Sequence, residues 1–520
     1  MHQILKTHPA RLLLASLITI VGITAQQPLR AQVTLDLTGT SPDAAELPLR
    51  PLFLQVDHAD AAEQVEAARL FDLLQGKLAF GEYTEAIEPA KELVDLALVE
   101  YGPDAAELAE PWINLGQALE LAGEKDQAGA AYLESIRLVT RQYGSLDVRL
   151  VRPLAGLGRL AQQSGNNEEA VEFLSQARYL LRRSKGLYTL QQVPILEGTA
   201  NSLLALGQPD AADRKRNILF QLYIRAYGSN SPELIEPLMR LGNWSGLMYL
   251  SLNASTQAKM VCMIDRRAVP DYATSNQCAA PGQRDLYRMA ISIIEENFGE
   301  DDPRLIGPLR AMANSYYLMS VRWVRRQDPQ SSAYSGGAPT TYYEAVKQES
   351  GAREALERAL QITRKQADYE PRSEAQLLVD LGDWHIAFRR GIPQGQQYYQ
   401  QAWQLIASGE GGADEANLVF RDPRQLLVKG TSLSHSRSYT GGYSDPENPP
   451  EGHIVIQFDV SEDGSVLNET ILEPALPGSQ GEARKATSAL SRSYFRPRVV
   501  DGVAVYTAAI IWANQATDDD

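Results

Sequence analysis
The chain has 520 residues, 44% of them hydrophobic and 22% charged, a balance that excludes disorder along its length and fits the soluble globular class. At roughly 100 to 200 residues per domain, this length excludes a single compact core and implies about three or four domains, or one long repeat array with an appendage. Lys and Arg number 49 against 65 Asp and Glu, a formal charge of -16, and a field of that sign repels polyphosphates, which excludes non-specific nucleic-acid binding.

Residues 1–11 carry Lys6 and Arg11 and no acid, and residues 12–25 form an uncharged apolar run of 14. That is the length of the apolar region of an export signal, and it is short of the roughly 20 residues that cross a bilayer as a helix. A cleaved signal peptide is therefore expected over residues 1–25, with Ala31 as a later cleavage position, followed by an N-terminal extension over 26–59. The alternative is an uncleaved run that anchors the chain in a membrane. Cys262 and Cys278 are the only cysteines, and both lie in one irregular stretch rich in Asp, Pro, Ser and Asn. In an oxidising compartment such a local pair closes one loop, worth up to about 3 kcal/mol for a loop of roughly 15 residues. His2, His8, His58, His385, His435 and His453 show no ligand spacing, so neither a metal nor another cofactor is expected.

Gly81, Gly123, Gly165 and Gly207 stand 42 residues apart, as do Ala86, Ala128, Ala170 and Ala212, and as do Gly102, Gly144, Gly186 and Gly228. Three columns sharing one period mark a helical solenoid, in which each unit buries its apolar face against its neighbours. Within a unit the pattern predicts helix, Gly-containing turn, helix. Trp112, Leu115 and Leu119 share one face before Gly123, and Ala128, Ala131, Leu133 and Ile136 follow on a second helix. A small residue in the Ala column lets the two helices approach closely, and the Gly after the second helix supplies its C-terminal cap.

This pattern resembles the 42-residue variety of the tetratricopeptide repeat. It is carried by Trp112, Leu115-Gly116, Leu119 and Ala128, recurs as Leu157-Gly158 with Ala170, and recurs again as Leu241-Gly242. Leu74 and Ala200 depart from it at the second Gly position. A further unit restarts at Phe298-Gly299, and Leu381-Gly382-Asp383-Trp384 followed by residues 398–406 is similar to a last, degenerate hairpin. The resemblance covers residues 60–408, interrupted by a disulfide insertion at about 255–283. It implies a mainly α fold, a right-handed solenoid whose first helices line a groove for protein partners. The residue after the Leu-Gly pair reads Gln75, Gln117, Arg159, Asn201 and Asn243. Such a row suits hydrogen bonding to an extended backbone as a partner groove, and it equally suits a merely solvated helix face.

Residues 409–451 break the helical pattern with Gly, Ser and Pro and read as a linker containing one extended stretch. Beyond it, Ile454, Ile456, Phe458 and Val460 alternate with Val455, Gln457 and Asp459 at the two-residue period of a strand, Asp463-Gly464 makes a turn into a second strand, residues 481–492 are helix-prone, and residues 503–513 are β-branched and aromatic again. The order predicts a small α+β domain, ββαβ, over residues 452–515. It resembles the C-terminal domain of the TonB energy-transducer family through Phe458-x-Val460-x-x-Asp463-Gly464-x-Val466 and through Phe495-x-Pro497 followed by Asp501-Gly502 and Val505. Ser493 departs from that family's aromatic at the corresponding position. The resemblance implies that the final strand, with Val505, Tyr506, Thr507 and Ala509, is an open edge for an added strand, while Phe458 and Phe495 fill the core.

No paired catalytic carboxylates, nucleophile elbow or phosphate loop stand in the sequence, so an enzyme is not expected. Together the two resemblances imply a periplasmic adaptor or scaffold that binds protein partners, TonB-dependent outer-membrane receptors or components of the TonB system, and assists transport. The alternatives are a TonB-type transducer anchored in the inner membrane with a periplasmic body, and a cell-envelope structural protein binding peptidoglycan.

Overall fold
The computed structural model describes residues 61–515 apart from 253–259, 267–277, 326–339, 368, 429–440, 444–452, 474–479 and 492. The expected signal peptide and the N-terminal extension lie outside the described residues. Sixteen α-helices and eight strands make up the described chain. It divides into two compact units, the first ending at Ala226 and the second beginning at Tyr227, where the sequence pattern reads as one array.

The first unit is four helical hairpins: α1 (Ala61–Ala79) with α2 (Tyr83–Tyr101), α3 (Ala109–Leu121) with α4 (Lys125–Tyr143), α5 (Val151–Gln163) with α6 (Asn167–Lys185), and α7 (Val193–Ala205) with α8 (Pro209–Tyr227). The glycine columns close these helices. Gly123 has φ 87°, and the Glu124 N–H reaches back to the Leu119 carbonyl at 2.9 Å, the bond that satisfies a helix end through a left-handed residue. Asn166 and Gln208 do the same one and two repeats later, onto Ala161 at 2.8 Å and Leu203 at 2.9 Å. Ala86, Ala128, Ala170 and Ala212 are fully buried.

The glycine of the Leu-Gly pair has a steric role. A Cβ on Gly116 would stand 2.7 Å from the Tyr132 ring, and one on Gly156 would stand 2.4 Å from it. The ring of Tyr132 on α4 is therefore seated between α3 and α5, and only glycine admits it from both sides. In the next repeat Leu174 occupies the same place against Gly158 and Gly198.

In the second unit α9 (Ile235–Ser251) pairs with α10 (Gln283–Phe298), α11 (Ile306–Arg325) with α12 (Thr340–Lys365), and α13 (Pro371–Ala387) with α14 (Ile392–Ala407). The first of these hairpins is the repeat with its turn enlarged. Gly242 of α9 receives the Tyr287 ring of α10, with a Cβ position 2.4 Å from it, as Gly116 receives Tyr132. Within the enlarged turn Cys262 and Cys278 are joined by a disulfide, with their Cα atoms 5.9 Å apart. Arg266 closes the loop by donating to the carbonyls of Cys278 and Ala279 at 2.9 and 3.0 Å.

Helix α15 (Gly412–Val419) and strand β1 (Arg424–Val428) follow, both inside the stretch read as linker. The remaining elements are β2 (Gly441–Tyr443), β3 (His453–Val460), β4 (Val466–Glu473), α16 (Gln480–Leu490), β5 (Ser493–Arg496), β6 (Arg498–Val500), β7 (Val503–Val505) and β8 (Thr507–Gln515). The main sheet is antiparallel in the order β2-β8-β3-β4, while β1 pairs with β5 and β6 with β7. Ile454, Ile456, Phe458 and Val460 point together into a core with Ala483, Ala486 and Leu490 of α16, the alternation expected of a strand covered on one face. Phe458, Phe495 and Trp512 form a mutual cluster with centroids 5.3 to 6.1 Å apart.

Candidate interaction surfaces
The five residues of the polar row fall at equivalent places on α1, α3, α5, α7 and α9, but in unequal surroundings. Gln75 and Asn201 are exposed, Asn243 and Arg159 are half-buried, and Gln117 is buried. Arg159 turns both Nε and Nη2 onto Glu120 of α3, at 2.7 and 2.8 Å. Asn243 accepts the Tyr287 hydroxyl at 2.6 Å. The expected uniform ladder is therefore replaced, at Arg159 and Asn243, by side chains committed to the protein itself. Ten of the thirteen residues of α3 and ten of the thirteen of α5 are buried, so the middle of the row is enclosed and only its Gln75 and Asn201 positions open to solvent.

A network that the sequence reading missed accounts for this enclosure. Arg152 of α5 pairs with Glu110 of α3 and donates to Asn114 at 3.0 Å. Glu120 also accepts the Tyr132 hydroxyl at 2.7 Å. Burial, and after it the Glu120 charge, raise the Tyr132 hydroxyl well above its ordinary pKa, so it remains a donor. One repeat later Gln162 of α5 donates to the Gly198 carbonyl at 2.7 Å and the Ser202 hydroxyl at 2.8 Å on α7. Consecutive first helices are thus stitched by buried and half-buried polar groups that pair across the seam, which fixes their register. The signal in the sequence was a charge complement at the repeat spacing, Glu110 against Arg152, 42 residues apart.

The second surface is the sheet domain and its joint with the last hairpin. Arg496 of β5 is buried against Asp383 of α13, with Nε to Oδ1 at 2.7 Å. The same Oδ1 accepts the Tyr399 hydroxyl of α14 at 2.8 Å. Burial works against the Arg496 charge, but the facing Asp383 carboxylate outweighs it and raises the pKa. At the β3–β4 turn, Arg389 pairs with the Asp463 carboxylate and donates to its carbonyl at 2.6 Å. Gly464 in this turn has φ 78° and a Cβ position 2.1 Å from the Phe495 carbonyl oxygen, so only glycine fits. Phe420 after α15, Leu426 of β1 and Val499 of β6 share the apolar cluster of α13 and α14, and the Val499 N–H bonds the Phe420 carbonyl at 3.2 Å. The stretch read as linker thus supplies a helix and a strand that dock the domain, because its apolar residues have buried places to go.

The residues named for the open edge fall on two different elements. Strand β8 lies between β3 and β2; Gly441–Tyr443, also read as linker, pairs with residues 512–514 and leaves residues 507–511 paired with β3 alone among the described residues. Val505 belongs instead to the β6–β7 hairpin, paired with Arg498 around Asp501 and Gly502 at φ 50° and 79°, the positive dihedrals of a tight two-residue turn. Tyr506 bonds the Asp459 carboxylate, Thr507 pairs with Val460, and Ala509, at φ 57°, donates its N–H to Asp459 at 2.8 Å as a bulge. Among the described residues the outermost strand beyond β3 is β4, where Leu467, Ile471 and Leu472 are exposed.

No family model and no curated protein matches the chain. Among solved structures it is similar to a putative kinesin light chain of Podosopora anserina with nearly identical TPR-like repeats, at 12% identity over 60% of this chain and 100% of that one, with a TM-score of 0.28. It is also similar to BtubC (BKLC) from P. vanneervenii, at 14% identity over 64% of this chain and 91% of that one, with a TM-score of 0.25. The fold rests on the helical hairpins themselves, and these establish a mainly helical repeat protein, followed by a few strands and one helix towards its end.

Proposed function
We propose that the protein is a non-catalytic adaptor of the periplasm, in which the tetratricopeptide-like hairpins hold one protein partner and the TonB-like terminal domain holds another by strand addition, assisting TonB-dependent outer-membrane transport. The observation that carries this reading is the end of the sheet. Strand β4 is its outermost strand and exposes Leu467, Ile471 and Leu472, and such an edge presents backbone groups and apolar side chains to an extended peptide. The ion pair of Arg389 with Asp463 ties the turn that enters β4 to the end of α13, so that a partner on this edge is held at a fixed place relative to the last hairpin. The apolar run over residues 12–25 supports export. The test is capture of a receptor-derived peptide by the exported full chain, followed by Leu467→Lys with Leu472→Lys, which places charge on the edge without touching the core. Loss of capture by this variant, with unchanged thermal unfolding, is expected; undiminished capture overturns strand addition at β4.

A further inference from the structure
At the boundary of the third and fourth hairpins the repeat departs from its own chemistry at three columns. Where Arg178 stands on α6, the preceding repeats have Val94 and Ile136, exposed by 4% and 6%. Where Lys215 stands on α8, they have Pro89 and Ala131, both buried, and Phe173, partly buried against the core. Where Gln192 stands in the turn before α7, Leu108, Leu150 and Leu234 are each at 0% exposure. Two apolar columns have become cationic and one apolar column has become an amide.

The amide explains the first arginine. Gln192 is itself fully buried. Its Nε2 donates to the Leu187 carbonyl at 2.8 Å, which leaves its Oε1 to accept the Arg178 Nε–H at 3.1 Å. The guanidinium is thereby oriented through its Nε, with its two terminal nitrogens given to no protein group among the described residues. The charges of Arg178 and Arg182 of α6 and of Arg214 act on Lys215 of α8, and Arg182, Arg214 and Lys215 make no ion pair among the described residues. The buried carboxylate nearby in sequence, Asp213, is taken by Arg216 at 2.7 Å. Burial, and then the charges of Arg178, Arg214 and Arg182, push the Lys215 ammonium below its ordinary pKa. Half-buried cations that repel one another in positions the repeat otherwise fills with hydrocarbon are a local conflict, and such conflicts mark function.

We propose that Arg178, Arg182 and Lys215, with Gln192 as the positioning residue, form a binding site for a compact, multiply charged oxyanion of the phosphate type. An oriented guanidinium offers paired N–H groups that match such an anion, and Lys215 adds a point charge. The net charge of -16 repels any extended polyanion, so the ligand is one small enough to meet only this cluster.

The probe is inorganic pyrophosphate, titrated into the full chain by calorimetry and followed by thermal unfolding, against sodium chloride at equal ionic strength. Saturable binding and a rise in the melting temperature are expected of the wild type. Arg178→Ile with Lys215→Ala restores the residues of the second repeat; it should melt at or above the wild type in chloride and bind about tenfold more weakly or not at all. Gln192→Leu restores the fully buried leucine; it should be at least as stable as the wild type, yet weaken binding, which separates positioning from a structural role. Absence of saturable binding by the wild type overturns the site, and so does binding that survives the double replacement unchanged.

Discussion

The second and third hairpins of the first unit are joined by contacts that recur, and the last hairpin of the second unit is joined to the sheet by contacts that occur once. In the first case a bulky side chain, Tyr132 or Leu174, enters between two glycines of successive first helices, and polar pairs such as Glu110 with Arg152 cross at the repeat spacing. In the second, Arg496 meets Asp383 across 113 residues of chain, and Gly464 lies under the Phe495 carbonyl. A repeated contact leaves a periodic trace in the sequence, whereas a unique contact leaves none. The difference is also energetic: a repeat seam is one of several similar seams, while the joint has no second copy to share its load.

The largest expected effect breaks the unique side of this comparison. Phe495 is fully buried and packs on both Phe458 and Trp512, so Phe495→Ala should lower stability by about 3 to 5 kcal/mol. Because its backbone also bonds Gly464, chemical denaturation should show the sheet domain unfolding before the first four hairpins. A single transition at the wild-type midpoint would mean that the ring carries no such load.

This asymmetry explains what could be read from the sequence. The 42-residue columns predicted the hairpins because Gly123 and its counterparts cap helices through positive dihedrals, and because the Ala column is buried. The strand alternation of Ile454 to Val460 and the core roles of Phe458 and Phe495 were equally legible. Strand β2 left no trace because it is three residues of Gly-rich sequence, Gly441–Tyr443, with no hydrophobic pattern to announce it. The row was read as a partner groove or a solvated face, and the enclosure of its middle left no trace because the partner of Arg159 is Glu120, 39 residues away, close to the repeat spacing but in a different column. The joint was invisible for the same reason, since nothing in the spacing of Asp383 and Arg496 marks them as a pair.

The second effect concerns that pair. Arg496→Met leaves the Asp383 carboxylate, 14% exposed, without its cation and should destabilise the second unit by roughly 3 kcal/mol. Adding Asp383→Leu should restore part of that loss, because removing both charges also removes their desolvation penalty. A double-mutant cycle by urea denaturation reads the coupling directly, and a coupling near zero would mean that the joint is held by the Phe420, Leu426 and Val499 packing alone.

A smaller effect sharpens the recurring side. Gly116→Ala would set a methyl 2.7 Å from the Tyr132 ring and should cost about 1 to 3 kcal/mol through overpacking, although alanine is the better helix former. Tyr132→Leu in the same chain should recover much of this, since Leu174 fills the equivalent place in the next repeat with a smaller side chain. The recovery is limited by Glu120, which loses the Tyr132 hydroxyl but keeps Arg159. Thermal unfolding of the two single variants and the double variant decides whether the seat is interchangeable between repeats.

The smallest effect returns to the joint and is a dependence on pH. Burial alone would raise the Asp463 carboxyl, but hydrogen bonds from Ser461, Arg389 and Ser465 outweigh it and hold the group below its ordinary pKa. A carboxylate depressed in the folded state stabilises that state fully at pH values above its unfolded pKa of about 3.9, and the contribution fades as the pH falls below that value toward the folded pKa. The Asp463 side chain is 39% exposed, so solvent screens the interaction and its contribution is modest. Asp463→Asn keeps an acceptor for the Ser465 N–H but loses the charge facing Arg389. The stability difference between wild type and this variant should therefore be constant from neutral pH down to about 5 and shrink below about 3.9. Hydrogen exchange of the Ser465 amide, which bonds both Ser461 and Asp463, reports the same turn locally. A difference that stays constant through this acid range would show that the charge of Asp463 does not hold the turn against α13.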